Sequence, residues 1–166
     1  MPTNTIERIT KELLRMEEDC TYSGKSHFNA SARWLKMNYY LGVPAIALSP
    51  LAGIAYTEGF SKIAWTMSAA VAALTALMTF LRPSELSSKH KTSGDQYLSL
   101  RNDARVFREI QLLHLEDEQT AINSLAGLTK RRNELNQASP QFSNRDFRKA
   151  RIGITKGEAQ HKVDIA

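Results

Sequence analysis

Two segments without any charged side chain, residues 39–57 and 63–81, constrain this chain more than any other feature. Each is 19 residues long, and only the five residues 58–62 separate them. About 20 helical residues cross a hydrocarbon core of roughly 30 Å, whereas a helix on the surface of a soluble protein normally carries a polar face. The two segments therefore predict a pair of transmembrane helices that a tight turn joins into a hairpin.

Aromatic residues lie at the ends of both segments. Tyr39, Tyr40 and Tyr56 flank the first, and Trp65 and Phe80 flank the second. Amphipathic rings of this kind prefer the headgroup level of a bilayer, which favours the transmembrane interpretation. The second segment is rich in alanine, which inserts into lipid only weakly. An Ala-rich hairpin buried inside a soluble α-helical bundle is therefore the alternative.

The distribution of positive charge predicts the orientation of the hairpin. The chain has 22 Lys and Arg against 17 Asp and Glu, a net charge of +5, but the turn contributes only Lys62. Seven cations flank the two segments: Lys25, Arg33, Lys36, Arg82, Lys89, Lys91 and Arg101. Because positive flanks stay on the cytoplasmic side, we expect both termini in the cytoplasm. Topology and anionic headgroups explain the basic excess, so nucleic acid is not expected as a partner.

Small residues recur at four-residue spacing in both segments and predict helix association. Ala45, Ser49 and Gly53 share one face of the first segment, and Ser68, Ala72 and Ala76 share one face of the second. Small side chains let helix backbones approach closely in lipid. These faces either pack the two helices of one hairpin together or contact other protomers. Two helices cannot enclose a conduit, so any pore requires a homo-oligomer.

Hydroxyl groups in the segments are the candidates for a weakly polar pore lining. They belong to Ser49, Thr66, Ser68, Thr75 and Thr79. The same hydroxyls can equally donate to carbonyl groups of their own helix, which is the more common arrangement for any one of them.

Amphipathic cytoplasmic helices are predicted in residues 1–38, ahead of the hairpin. Apolar residues at helical spacing mark a first helix over residues 4–20: Ile6, Ile9, Leu13 and Met16. Residues 21–24 predict a break, and a second helix is expected to start at Ser26 and to continue into the first span.

A cytoplasmic helical stem is predicted over residues 82–152, followed by a flexible tail over residues 153–166. The pattern is helical from 96 to 136 and carries two apolar stripes: Tyr97, Leu100, Ala104 and Phe107, and Val106, Ile110 and Leu113. Residues 138–140 end this helix, and Ser143 with Asp146 predicts a capped short helix after it. An apolar stripe of this length needs a partner: the N-terminal helix, the same helix of another protomer, or both.

The sequence carries no pattern typical of a catalytic or metal site. Three further histidines accompany His27 along the chain without a ligand spacing, and Cys20 follows three acidic residues, which makes it a poor nucleophile. Gly-rich phosphate loops and nucleophile elbows are missing as well. We therefore expect no enzymatic activity, no metal and no cofactor.

Two stretches of the sequence, residues 27–53 and 80–101, together resemble the SLATT family of bacterial two-span membrane effectors. The first leads from a histidine through small residues into a Leu-Gly-Val-Pro span. The second leaves the Ala-rich span through Phe-Leu-Arg-Pro, followed by a histidine and Tyr-Leu-Ser-Leu-Arg. The resemblance covers roughly residues 5–150. The matching positions are His27, Trp34, Gly42, Pro44, Pro83, His90, Tyr97 and Arg101.

The resemblance implies a function that the composition does not. It implies a pore-forming effector in the bacterial inner membrane that takes part in anti-phage conflict. A nucleotide signal or a separately encoded nucleotide-messenger synthase or sensor would activate it. By the same resemblance most matching positions are structural, and Arg101 is the best candidate for a paired charge or a contact to an anionic ligand. The alternative is a membrane-anchored helical scaffold without pore activity.

The sequence thus predicts an all-α membrane protein with a two-span transmembrane hairpin, N-terminal helices and long C-terminal cytoplasmic helices. Its expected partners are the lipid bilayer and other copies of the chain.

Overall fold

The computed structural model describes residues 3–115 and 117–160, and every regular element within them is helical. Helix α1 is Thr3–Thr57, α2 is Ser61–Leu81 and α3 is Pro83–Val106. A π-helical segment, Phe107–Gln111, joins α3 to the short helix α4, Leu112–His114. Helix α5 is Glu118–Ala138 and α6 is Asn144–Thr155. The all-helical prediction is confirmed for these residues.

Helix α1 runs without interruption through residues 21–24, where the sequence indicated a break. The hydroxyls of Thr21 and Ser26 donate to the carbonyls of Glu17 and Tyr22, one turn earlier, so they support the helix instead of ending it. Gly24 is buried, and a Cβ at its position would lie 3.4 Å from the Tyr97 Cβ. Close packing therefore explains the glycine that the sequence analysis assigned to a break between two helices.

The chain divides into two compact units. The first comprises residues 1–30 and 89–166, and the second comprises residues 31–88. Both boundaries fall inside helices, the first within α1 and the second within α3.

The first unit has a hydrophobic core between the start of α1 and the helices after residue 89. The predicted stripe of α1 is buried at Ile9, Leu13 and Met16, with Ile6 packed at its edge. Of the two predicted stripes in the stem, the first, from Tyr97 to Phe107, is buried. The second is exposed at Val106, Ile110 and Leu113.

The long helix predicted for residues 96–136 is interrupted. The π-helical segment changes the backbone repeat after Val106, and Leu115 is extended. Asp117 then caps α5, because its carboxylate accepts hydrogen bonds from Gln119 N at 3.2 Å and Thr120 N at 2.8 Å. A local side-chain cap of this kind competes with continuation of the helix. The spacing of apolar residues alone does not predict such a cap.

The last helix, α6, begins with the predicted cap and ends later than predicted. Ser143 and Asp146 form a reciprocal capping box at the start of α6. Helix α6 includes residues 153–155, which the sequence assigned to the flexible tail. Gly157, with φ of +85°, turns the following residues back towards α1 and α3. Residues 161–166 of the predicted tail lie outside the described residues.

The second unit is a helical hairpin formed by the later part of α1 and by α2. Both helices are long and apolar enough to cross a membrane. The turn covers residues 58–60, two residues fewer than predicted, and Gly59 adopts φ of +81° there. At the far end of α2, Arg82 takes a left-handed conformation, and its N–H caps the Met78 carbonyl at 3.0 Å. Helix α3 then begins at the buried Pro83.

Candidate functional site

The contact between α1 and α2 follows alternating three- and four-residue steps. On α2 the least exposed residues of the span are Ala64, Met67, Val71, Leu74, Met78 and Leu81. On α1 they include Ala45, Leu48, Ala52 and Ala55. Gly42 lies at the same interface, since a Cβ there would come 3.4 Å from Met78 Cε. This spacing is typical of packed helix pairs and was not read from the sequence.

The predicted small-residue faces lie mostly away from this contact. Ala45 is buried, whereas Ser49 and Gly53 on α1 are exposed. Ser68, Ala72 and Ala76 on α2 are exposed too. Four residues advance a helix by about 400°, so a strict four-residue stripe drifts about 40° per step off any straight contact line. Within one chain these faces therefore do not pack the hairpin, and their association with other protomers stays a prediction.

The hairpin exposes a large apolar surface. Only 11% of the apolar window in the first span helix and 6% of that in the second is buried inside the chain. Tyr40, Ile46, Trp65 and Phe80 are each at least three-quarters exposed. A soluble protein rarely leaves contiguous apolar area of this extent in water, so the surface requires a bilayer or a protein partner.

Two of the hydroxyls proposed as a pore lining are bonded within their own helix. Thr66 Oγ1 donates to Ile63 O at 2.9 Å, and Thr79 Oγ1 donates to Thr75 O at 2.9 Å. Their donor groups are therefore satisfied without water, which suits a side chain that faces lipid or another helix.

Four positions that match the family pattern lie in the second unit: Trp34, Gly42, Pro44 and Pro83. Pro44 is exposed within the continuous helix α1. Trp34 is half-buried, and the Arg33 guanidinium lies 5.0 Å from its ring centroid. Gly42 packs against Met78, and the buried Pro83 begins α3, so these two positions support the packing and the start of a helix.

The first unit contains a buried histidine pair. His27 of α1 and His90 of α3 are each 1% exposed, and their Nδ1 atoms lie 2.9 Å apart. At this distance one Nδ1 donates and the other accepts, so the two neutral rings must be opposite tautomers. A second proton on the pair would place an N–H on both Nδ1 atoms and leave no acceptor between them. The pair can therefore persist only while it is at most singly protonated.

Aromatic rings enclose the histidine pair. The Tyr97 ring stacks on His27 with a centroid distance of 5.5 Å, and Phe142 meets the same ring edge-on at 5.1 Å. The Tyr97 hydroxyl donates to Asn136 Oδ1 at 2.7 Å, which connects this cluster to α5. Three of the eight matching positions, His27, His90 and Tyr97, therefore meet in one place.

Burial dominates the electrostatics of His27. The loss of hydration, with a smaller contribution from the neighbouring His90, lowers the pKa of His27 from 6.5 to about 4. The pKa of the Tyr97 hydroxyl is raised, chiefly by burial. His27 is thus kept largely neutral near pH 7 while the unit is folded.

Sequence reasoning treated the histidines as scattered and missed this pairing. A signal was present: His27 lies 12 positions before Tyr39, and His90 lies nine positions after Leu81. Residues at similar distances from a hairpin turn face each other when the flanking helices continue antiparallel, and this positional symmetry indicates the pair.

Arg101 and Cys20 occupy different surroundings from the histidine pair. Arg101 Nη2 donates to the Ala159 carbonyl at 3.2 Å. Cys20 is buried, and burial, with a smaller contribution from Asp19, raises the pKa of its thiol to about 11. The sequence analysis attributed the low reactivity of Cys20 to its acidic neighbours, whereas burial is the larger cause.

Among the described residues, no group of three or more His, Cys, Asp or Glu side chains is arranged to hold a metal ion. Comparison of the chain with protein-family models, with curated proteins and with solved structures found no match.

Proposed function

We propose that this chain is a membrane effector whose hairpin inserts into a lipid bilayer and assembles with other copies into a pore. The observation that carries the proposal is the low burial of the two apolar helices, 11% and 6% of their apolar windows. In the soluble alternative the same helices would form the core of a bundle and would be mostly buried. A bilayer removes this apolar surface from water without any rearrangement of the hairpin.

The backbone of the hairpin is compatible with lipid. Helices satisfy their own N–H and C=O groups, which is the main requirement for a segment in hydrocarbon. The charged residues nearest the hairpin lie in the turn and beyond the span ends, where they reach the headgroups. With seven flanking cations against Lys62 in the turn, both termini lie in the cytoplasm.

The outward small-residue faces support assembly of several copies. Ser68, Ala72 and Ala76 lie on the side of α2 that does not contact α1, so a neighbouring helix can approach them closely. A groove of about 620 Å³ also runs between the two spans, with Ser49 and Thr75 on its wall. Because two helices cannot surround a conduit, a pore depends on such contacts between copies.

The biological role follows from the resemblance to the SLATT family. We place the chain in the bacterial inner membrane, where a nucleotide signal or a separately encoded synthase or sensor would trigger it. Opening of the assembled hairpins would dissipate ion gradients and arrest a phage-infected cell. The first unit, with its own core, would control the hairpins from the cytoplasmic side.

Dye release from liposomes tests the pore with a matched pair of variants. Ala72→Leu should reduce the release of an entrapped fluorescent dye at least fivefold, because it obstructs the outward small-residue face. Ala70→Leu makes the same change at an exposed position about 160° away around α2, and it should leave release near the unsubstituted rate. Equal release from both variants, or none from the unsubstituted chain, would count against the pore.

The alternative is a membrane-anchored scaffold, which the separate hydrophobic core of the first unit favours. In that case the hairpin serves only as an anchor. Replacing residues 39–81 with an unrelated two-span hairpin discriminates the two functions in cells. Retained activity would support the scaffold, whereas lost activity with normal membrane levels of the chimera would support the pore.

A further inference from the structure

A cleft of about 320 Å³ in the first unit brings cations from two helices together. Lys25 of α1 and Arg101 of α3 line it, and Glu158 contributes the only carboxylate among its described lining residues. Two cations against one carboxylate leave the cleft with a net charge of +1. The volume is at the lower end of the range for pockets that bind small organic molecules.

The chain itself occupies both cations. Lys25 Nζ donates to Glu158 Oε2, and Arg101 Nη2 donates to the Ala159 carbonyl at 3.2 Å. The left-handed turn at Gly157 makes this return of the chain possible. A carbonyl oxygen carries no net charge, so this segment supplies Arg101 with a weaker partner than an anion would provide.

Apolar side chains border the two cations. Phe28 and Leu98 line the same cleft and are 36% and 42% exposed. Their exposed surfaces offer a contact to an apolar group, while Arg101 is placed to form charge-assisted hydrogen bonds to an anionic one. The cleft thus combines the two properties that recognise an organic anion.

We infer that this cleft binds a small organic anion, a phosphate or carboxylate joined to an apolar ring, in competition with residues 158–159. The anion takes the positions of the Glu158 carboxylate and the Ala159 carbonyl, and the ring lies against Phe28 and Leu98. Binding releases residues 158–159 from α1 and α3. The binding of the anion is independent of the proposed function. Only the role of that anion as an activating ligand rests on it.

Calorimetric titration of the full chain in detergent micelles, at constant ionic strength, tests the inference. The probes are phenyl phosphate and benzoate as ring-bearing anions, with inorganic phosphate and phenol as their separate halves. At least one ring-bearing anion should bind tenfold more tightly than either half, and the better one identifies the preferred anion. Absence of saturable binding by both anions would overturn the inference.

Two variants test the competition directly. Glu158→Gln removes the negative charge that competes for Lys25, so the better anion should bind at least threefold more tightly. Arg101→Gln should weaken the same binding at least tenfold. Lys130→Gln, at a lysine that is 79% exposed and paired with Glu134, removes a charge elsewhere and should change nothing.

The direction of the Glu158→Gln effect separates a binding site from a structural ion pair. If the pair only stabilised the fold, its loss would leave anion binding unchanged or weaker, and either result would overturn the inference. The titration measures anion binding in micelles and requires neither a bilayer nor pore formation. A chain that binds the anion without forming pores would therefore overturn the proposed function alone.

Discussion

The Nδ1 atoms of His27 and His90 lie 2.9 Å apart although 63 positions separate these residues along the chain. Both rings are almost completely buried, and Tyr97 and Phe142 cover His27. Such a pair holds α1 and α3 together only while the shared hydrogen bond has one donor and one acceptor. The stability of the first unit should therefore depend on protonation.

Acidification should destabilise the folded chain between pH 6.5 and 4. The pKa of His27 is near 6.5 in the unfolded chain and about 4 in the folded one, so only the unfolded chain takes up this proton in that range. Stability is fully present above pH 6.5 and falls by about 3 kcal/mol by pH 4. The thermal unfolding midpoint of the micelle-bound chain, measured from pH 8 to pH 4, checks this.

The matched controls for acidification are His27→Gln and His114→Gln. His27→Gln should flatten the pH dependence, whereas substitution of the exposed His114 should leave it unchanged. A pH profile that is identical in all three proteins would contradict the assignment to His27.

Removal of the Tyr97 hydroxyl should destabilise the chain by about 1 kcal/mol, since Asn136 would lose its donor. Chemical denaturation of Tyr97→Phe, Asn136→Ala and the double variant measures the interaction as a double-mutant cycle. The effects of the two substitutions should be non-additive by about 0.5 kcal/mol or more, because the residues are in contact. Strictly additive effects would exclude the hydrogen bond.

Alanine substitutions at two helical glycines should have opposite signs. A Cβ at Gly94 would lie 2.8 Å from Phe28 Cε1, so Gly94→Ala should destabilise by about 1–3 kcal/mol. Apart from the surrounding backbone of its own helix, no atom of the described residues lies within 4 Å of a Cβ at Gly127, so Gly127→Ala should stabilise by about 0.5–1 kcal/mol. Unfolding free energies measure both, and Phe28→Ala should relieve the cost at Gly94. A persistent cost in that background would contradict the proposed contact.

The ion pair between Arg108 and Glu17 should matter more than an exposed pair. Arg108 donates from Nε at 2.7 Å and from Nη2 at 3.2 Å, and both side chains are less than one-fifth exposed. Arg108→Gln should cost about 2 kcal/mol, because it leaves the largely buried Glu17 carboxylate without its cation. Lys11→Gln, which breaks the exposed pair with Glu7, should cost much less, because water screens that pair. Denaturant unfolding of both variants compares them, and equal costs would contradict this ranking.

Cysteine labelling should place the turn and α3 on opposite sides of the membrane. In a Cys20→Ser background, Ser61→Cys adjoins the turn and Ser88→Cys lies on α3, both at exposed positions. An impermeant maleimide should label the first variant in intact spheroplasts and the second only after permeabilisation. Labelling of both without permeabilisation, or of neither, would contradict the topology.

The sequence by itself determined that the described chain is helical and where its two apolar helices lie. Nineteen residues without charge leave little choice but a helix removed from water, and the structure places helices over both segments. The capping box at Ser143 was equally readable, because it depends on residues three positions apart. These features are local, so composition and spacing are enough to predict them.

Only the tertiary structure decided which faces meet. The three- and four-residue steps at Met67 and Val71, not the small-residue stripe at Ala72, form the contact with α1, because a straight contact must follow the helical repeat. Gly24 and Gly94 contribute close packing against aromatic residues of the opposite helix, a role that no local pattern reveals. The His27–His90 pair likewise exists because two distant helical segments pack together, and burial by that packing shifts the pKa of His27.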